Sequence, residues 1–184
     1  AGESAGAVEV WHPDVRFFTI DDGNGNRLGS FYLDLFSRSN KRAGAWMNTL
    51  DTGSPSTPET PGKPRLGMVC LNIHPPAAGD TVTLSHREVR TLFHEFGHLL
   101  HLMFTRVSIP SLAGTSVPRD FVEVPSQFME NWCWRPDVLK SFARHERTGL
   151  PIPEEMLNSL DASRGNTPAL TLAGQLLYAK MDLA

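Results

Sequence analysis

Residues 91–98 read TLFHEFGH and contain the pattern H-E-x-x-H. On an α-helix, positions four apart lie about 40° apart around the axis and about 6 Å along it. His94 and His98 can therefore present two imidazoles to one metal ion at Zn–N distances of roughly 2.0–2.1 Å. Glu95, beside the first histidine, can take a proton from a water at the open coordination position and return it to a leaving amine. With seven histidines in 184 residues, chance supplies such a pattern in roughly one chain in seventy. The bland alternative is a surface helix with two solvated histidines. Leu92, Phe93, Phe96, Leu99 and Leu100 argue against it, because buried histidines without a task would be costly to satisfy. One Zn2+ per chain is the expectation.

Two histidines and a water leave a tetrahedral zinc one protein ligand short. His101 lies on the face of His94 but about 10 Å further along the axis, so it is expected to be a structural, hydrogen-bonding histidine. The longer pattern HExxHxxGxxH would need a histidine at position 104, which is Phe104. The remaining candidates are Asp120, Glu123 and Glu130, at spacings of three and seven along one helical stripe. Spacing does not choose among them, and a solvated acidic face is the usual fate of such charges.

These residues need elements to hold them. Ser85 followed by Glu88 fits the capping box at a helix start, and the apolar period then runs through Met103. A second helix is expected over 118–136, shorter ones over 136–147 and 153–160, and a last one over 167–181. Upstream, residues 8–11, 16–20 and 27–35 read as strands, with a turn at 21–26. The Pro- and Thr-rich stretch 51–64 reads as a loop, and 66–73 as a further strand. The fold class is α+β, with a small N-terminal β-sheet (1–75) followed by a mainly helical, zinc-binding part (85–184) within one domain.

Composition narrows the function. The chain is 40% hydrophobic and 20% charged, which excludes wholesale disorder. Its net charge of −3 offers no basic field for nucleic acid. No apolar run reaches the roughly 18 residues that span a bilayer. Cys70 and Cys133 are too few for a disulfide framework and are expected to be buried thiols. The first residues, AGESAGAVEV, carry no signal-peptide pattern, so a cytoplasmic location is expected. The absent initiator Met suggests a processed or excised piece.

HEFGHLLH, followed 25 residues after His98 by Glu123 in RDFVEVPSQFMENWCW, resembles the thimet-oligopeptidase family of zinc peptidases. GSFYLDLFSRSNKRAGAWM and WRPDVLKSFARHERTGLPIPEEM agree with it, so the resemblance covers the chain from about residue 8. PSQFMENWCW and KRAGAWM are most similar to its bacterial oligopeptidase A branch. The resemblance implies a zincin-like core with His94, His98 and Glu123 as zinc ligands and Glu95 as general base. Asp120 and Glu130 then become candidates for orienting a ligating histidine. Where a thermolysin-like enzyme would carry Asp, position 127 is Gln. The strand at 29–35 is expected to be the sheet edge to which a short peptide substrate adds.

The family also implies a C-terminal stretch with His and several Tyr that stabilise the oxyanion. Tyr32 and Tyr178 are the only tyrosines here and match none of those positions. Losing one such donor costs about 10²–10³ in rate. The alternative expectation is therefore a truncated, weakly active or inactive zinc- and peptide-binding piece, self-associating or packing against further parts of a longer enzyme. Hydrolysis of a non-peptide amide is compatible with HExxH alone.

Overall fold

RFFTID and RLGSFYLDLF carry aromatic and β-branched residues on both sides of a polar turn, and the pair folds as a hairpin. The computed structural model describes residues 2–3, 8–57, 59–77, 80–164 and 168–182, in two compact units, Ala1–Cys133 and Trp134–Ala184. In the first unit, β1 (Gly2–Glu3), β2 (Arg16–Asp21), β3 (Arg27–Phe36), β4 (Trp46–Asp51) and β5 (Arg65–Ile73) form one sheet in the order β1-β2-β3-β5-β4. The β2–β3 turn is held by Asp22, whose carboxylate accepts the backbone N–H groups of Asn24 and Asn26 at 2.8 and 2.9 Å. Gly25 supplies the left-handed residue there, at φ 83°. Phe18 and Phe31 sit opposite each other and stack with ring centroids 5.2 Å apart.

β3 and β5 run parallel, so the chain crosses over between them, and β4 lies on the crossover, antiparallel to β5. This corrects two expectations. The strand at 29–35 is central, flanked by β2 and β5; the sheet edges are β1 and β4. Residues 8–11 form no strand. The crossover starts at a buried charge cluster. Asp34 accepts both guanidinium nitrogens of Arg38 (2.8 and 2.6 Å), Lys41 Nζ (2.8 Å) and Trp11 Nε1 (3.1 Å). Lys41 also donates to the carbonyls of Asp34, Phe36 and Leu71, tying the crossover to β5. Burial alone would raise the Asp34 carboxyl; these bonds outweigh it and hold it at about 2.

α1 (His86–Met103) starts at the expected capping box: Ser85 Oγ receives Glu88 N–H, and the Glu88 carboxylate receives Ser85 N–H. Its apolar face, with Leu99, Leu102 and Met103, packs on Ile20, Phe31, Val69, Leu71 and Ile73 of the sheet. The helix expected over 118–136 is broken. α2 (Arg119–Val122) ends and α3 (Val124–Glu130) begins at Glu123 (φ −84°, ψ −6°), and a 3-10 turn, Asn131–Trp134, follows. Pro125 in the first turn of α3 lacks the N–H that would continue the ladder from α2.

The second unit holds α4 (Pro136–Phe142), α5 (Glu154–Arg164) and α6 (Pro168–Asp182). α4 stops five residues before its expected end, where Arg144 bridges Pro151; residue 167, the expected start of the last helix, lies outside the described residues. Lys140 pairs with Glu154, and the Arg164 guanidinium lies 5.5 Å from the Trp134 ring centroid. The α+β class holds. No helix among the described residues is long and apolar enough to cross a membrane.

Candidate metal centre

The period of α1 that turns Leu99 and Leu102 to the sheet turns His94 and His98 to one side together, their ring centroids 5.1 Å apart. The break at Glu123 brings a carboxylate to the same point. His94 Nε2 and His98 Nε2 each lie 3.2 Å from Glu123 Oε2, and the three ligand atoms fall within 4.8 Å of one another. Tetrahedral zinc with bonds of about 2.0–2.1 Å separates neighbouring ligands by about 3.3 Å, so the spacing fits a zinc ion. The donor set, two imidazoles and one carboxylate, is that of an open catalytic site.

Two of the three candidate ligands are held from behind, whereas His98 Nδ1 is buried with no partner among the described residues. His94 Nδ1 donates to Glu130 Oε1 at 2.7 Å, which leaves Nε2 as the lone-pair nitrogen. Glu130 is itself 3.3 Å from Arg90. Ser126, fully buried, donates its hydroxyl to Glu123 Oε2 at 2.8 Å and to the Glu123 carbonyl at 2.9 Å. Burial opposes ionisation of Glu123, but Ser126 and the two imidazoles outweigh it and pull the carboxyl below its ordinary value. Burial lowers His98, against the pull of Glu123, towards the neutral imidazole that a metal requires. Glu95, 7% exposed, is raised by burial first and by Glu123 second; His94 and the Met47 backbone N–H oppose this. That N–H comes from the edge strand β4, so base and sheet edge adjoin.

Of the other expected residues, Glu130 accepts the hydrogen bond of His94 Nδ1 and Asp120 lies exposed in the first turn of α2. His101 is outside the cluster. The hydrogen bond expected of it is not found among the described residues: Nδ1 is buried without a partner, and the ring packs edge-on to Phe121 at 6.2 Å. His86 caps the turn after α3 through Cys133 O at 3.0 Å. Cys70 and Cys133 are buried free thiols, each pushed by burial up to about 11. Sequence reasoning missed Ser126, Met47 and Gly97. A Cβ at Gly97 would meet Ser126 Cα at 2.6 Å and Pro125 O at 2.7 Å, so α1 and α3 touch at this residue. A glycine between two candidate ligands was the available signal.

This is an α+β core whose two histidines sit on a sheet-packed helix and whose carboxylate comes from the following one, a cluster that could hold a metal ion. The family model for peptidase family M3 matches residues 2–184, and the chain belongs to that family. It is 46% identical to oligopeptidase A of Escherichia coli over 176 residues, 95% of this chain and 26% of that protein. It is 42% identical to an organellar oligopeptidase A of Arabidopsis thaliana over 183 residues, 97% of this chain and 23% of that protein. To dipeptidyl carboxypeptidase of Escherichia coli it is 44% identical over 149 residues, 81% of this chain and 21% of that protein. The chain thus spans about a quarter of the length of the curated relatives it matches.

Proposed function

We propose that this chain carries the zinc-binding core of an enzyme that hydrolyses peptide bonds in short peptides. The observation that carries the reading is the convergence of His94 Nε2, His98 Nε2 and Glu123 Oε2 at tetrahedral ligand spacing, with the buried Glu95 next to them. His94, His98 and Glu123 would hold a zinc ion, which would supply Lewis acidity towards the scissile carbonyl and the attacking water. Glu95 takes the proton from that water on its carboxylate and delivers it to the leaving amine. Its raised affinity for protons suits both halves of that transfer. Glu130 and Ser126 keep His94 and Glu123 in their ligand orientations. An extended peptide pairs with the open edge of β4, where the Met47 N–H already faces Glu95.

The proposed partners are short peptides, with neither nucleic acid nor membrane. The two free thiols support a reducing compartment, read here as the cytoplasm. Elemental analysis after exhaustive buffer exchange is expected to find about one zinc per chain. Glu95→Gln is expected to keep that zinc and to slow peptide hydrolysis by about 10²–10⁴. Absence of zinc, or unchanged hydrolysis in Glu95→Gln, would overturn the reading.

A further inference from the structure

Arg65 opens β5 and is 8% exposed. Its Nη2 donates to the Thr105 carbonyl, just beyond the C-terminal end of α1, while its Nε is buried with no partner. Among the described residues it forms no ion pair with a carboxylate: Asp51, on the adjoining strand end, is committed to Lys63 at 2.5 Å and to the Gly53 N–H at 2.8 Å. Burial, uncompensated by any neighbouring anion, pulls the guanidinium below the usual arginine range. A buried cation with an unmade donor is costly unless something negative completes it.

Arg65 also borders open space, although its Nε is itself closed off. Arg65 lines a cavity of about 490 Å³, of a size that holds an amino-acid-sized ligand. Leu28, Pro55, Met103 and Phe104 give it apolar walls, and Arg106 adds a second cation. The cavity sits at the end of α1 opposite the Ser85 cap, a turn or more past His98, and shares no residue with the metal centre. We propose that this cavity is a binding site for a C-terminal carboxylate next to a bulky apolar side chain, with Arg65 holding the carboxylate and Leu28, Met103 and Phe104 taking the side chain. A guanidinium presents its donors in a fixed planar fork that matches a carboxylate, and four of the seven lining residues are apolar, Thr105 and Arg106 being the other polar ones.

The probe is N-acetyl-L-leucine, titrated into the zinc-loaded chain by isothermal calorimetry or by NMR of the arginine side chains. Saturable binding is expected, with at least about tenfold weaker binding of N-acetyl-L-leucinamide, which lacks the charge, and of acetate, which lacks the body. Arg65→Met, which keeps length and apolar volume, is expected to lose at least about tenfold in affinity for the acid while retaining wild-type zinc stoichiometry. Equal affinity for acid and amide, or no saturation up to about 50 mM, would overturn the proposal. Acetate binding as tightly as N-acetyl-L-leucine would overturn the role of the apolar walls. The acid–amide comparison needs only the wild-type chain, so it decides the matter even if Arg65→Met does not fold. The zinc measurement under Proposed function stands or falls separately.

Discussion

Replacing Gly97 by Ala sets two physical effects against each other, and their magnitudes decide which wins. Helix propensity favours Ala over Gly by about 1 kcal/mol in a helix interior, and Gly97 is well inside α1. The added Cβ would lie 2.6 Å from Ser126 Cα and 2.7 Å from Pro125 O, against about 3.5–4.0 Å for unstrained carbon contacts. Both obstacles are backbone, so no side chain can swing aside, and α1 and α3 must separate by about 1 Å. Overpacking of this kind costs about 1–3 kcal/mol, which exceeds the propensity gain. The movement also carries Glu123, three residues before Ser126, away from the two histidines. Metal sites tolerate about 0.2 Å in ligand distance, so Gly97→Ala is expected to weaken zinc binding at least about tenfold in competition with a chromophoric chelator. Circular dichroism should show the helices retained. Gly174 is the control: it is helical and an added Cβ there would meet nothing within 4 Å, so Gly174→Ala should leave zinc affinity unchanged. Wild-type zinc affinity in Gly97→Ala would refute the reasoning, because the close approach would then not set the ligand geometry.

Two further outcomes are expected. Glu130→Gln keeps the shape but weakens the acceptor of His94 Nδ1–H, and zinc affinity should fall by about 10–100-fold; an unchanged affinity would mean that the histidine is oriented by packing alone. Asp34 is held at about 2 against an ordinary 3.8, a depressed carboxylate, so its stabilisation is full above about pH 4 and lost as pH falls towards 2. That shift corresponds to about 2.5 kcal/mol, read as the acid-limb loss in urea unfolding of the wild type that Asp34→Asn should lack.

What could be read from residues alone was whatever is encoded locally. The capping box at Ser85 and Glu88, the H-E-x-x-H period and the Asp22 turn each depend on neighbours within one or two helical turns or a hairpin, and each is found. β4 was invisible because WMNTLD has no clean alternation; it is a strand because β5 offers it an edge. For the same reason β3 was misread as the edge, since its flanking partner β5 arrives 29 residues after β3 ends. The one continuous helix expected over 118–136 failed at Glu123, where the apolar period carries on but Pro125 removes a backbone donor. That local rule fails at the residue that completes the candidate cluster. Spacing alone left Asp120, Glu123 and Glu130 open, and only the family resemblance pointed to Glu123; the break that brings its carboxylate to the two histidines is contained in no spacing argument.

The order in which the chain is made matches the order in which the centre is built. The sheet strands come first, α1 is laid on them, and Glu123, Ser126 and Glu130 follow within the unit that ends at Cys133. Synthesis at about 5–20 residues per second separates His94 from Glu130 by about 2–7 s. Among the described residues, the candidate cluster and the groups that hydrogen-bond to it end at Glu130, so a nascent chain has these proposed zinc-binding residues outside the ribosome before its second unit has emerged. The supply of free zinc during those seconds, and not only in the finished protein, then bears on how much of the chain acquires its metal.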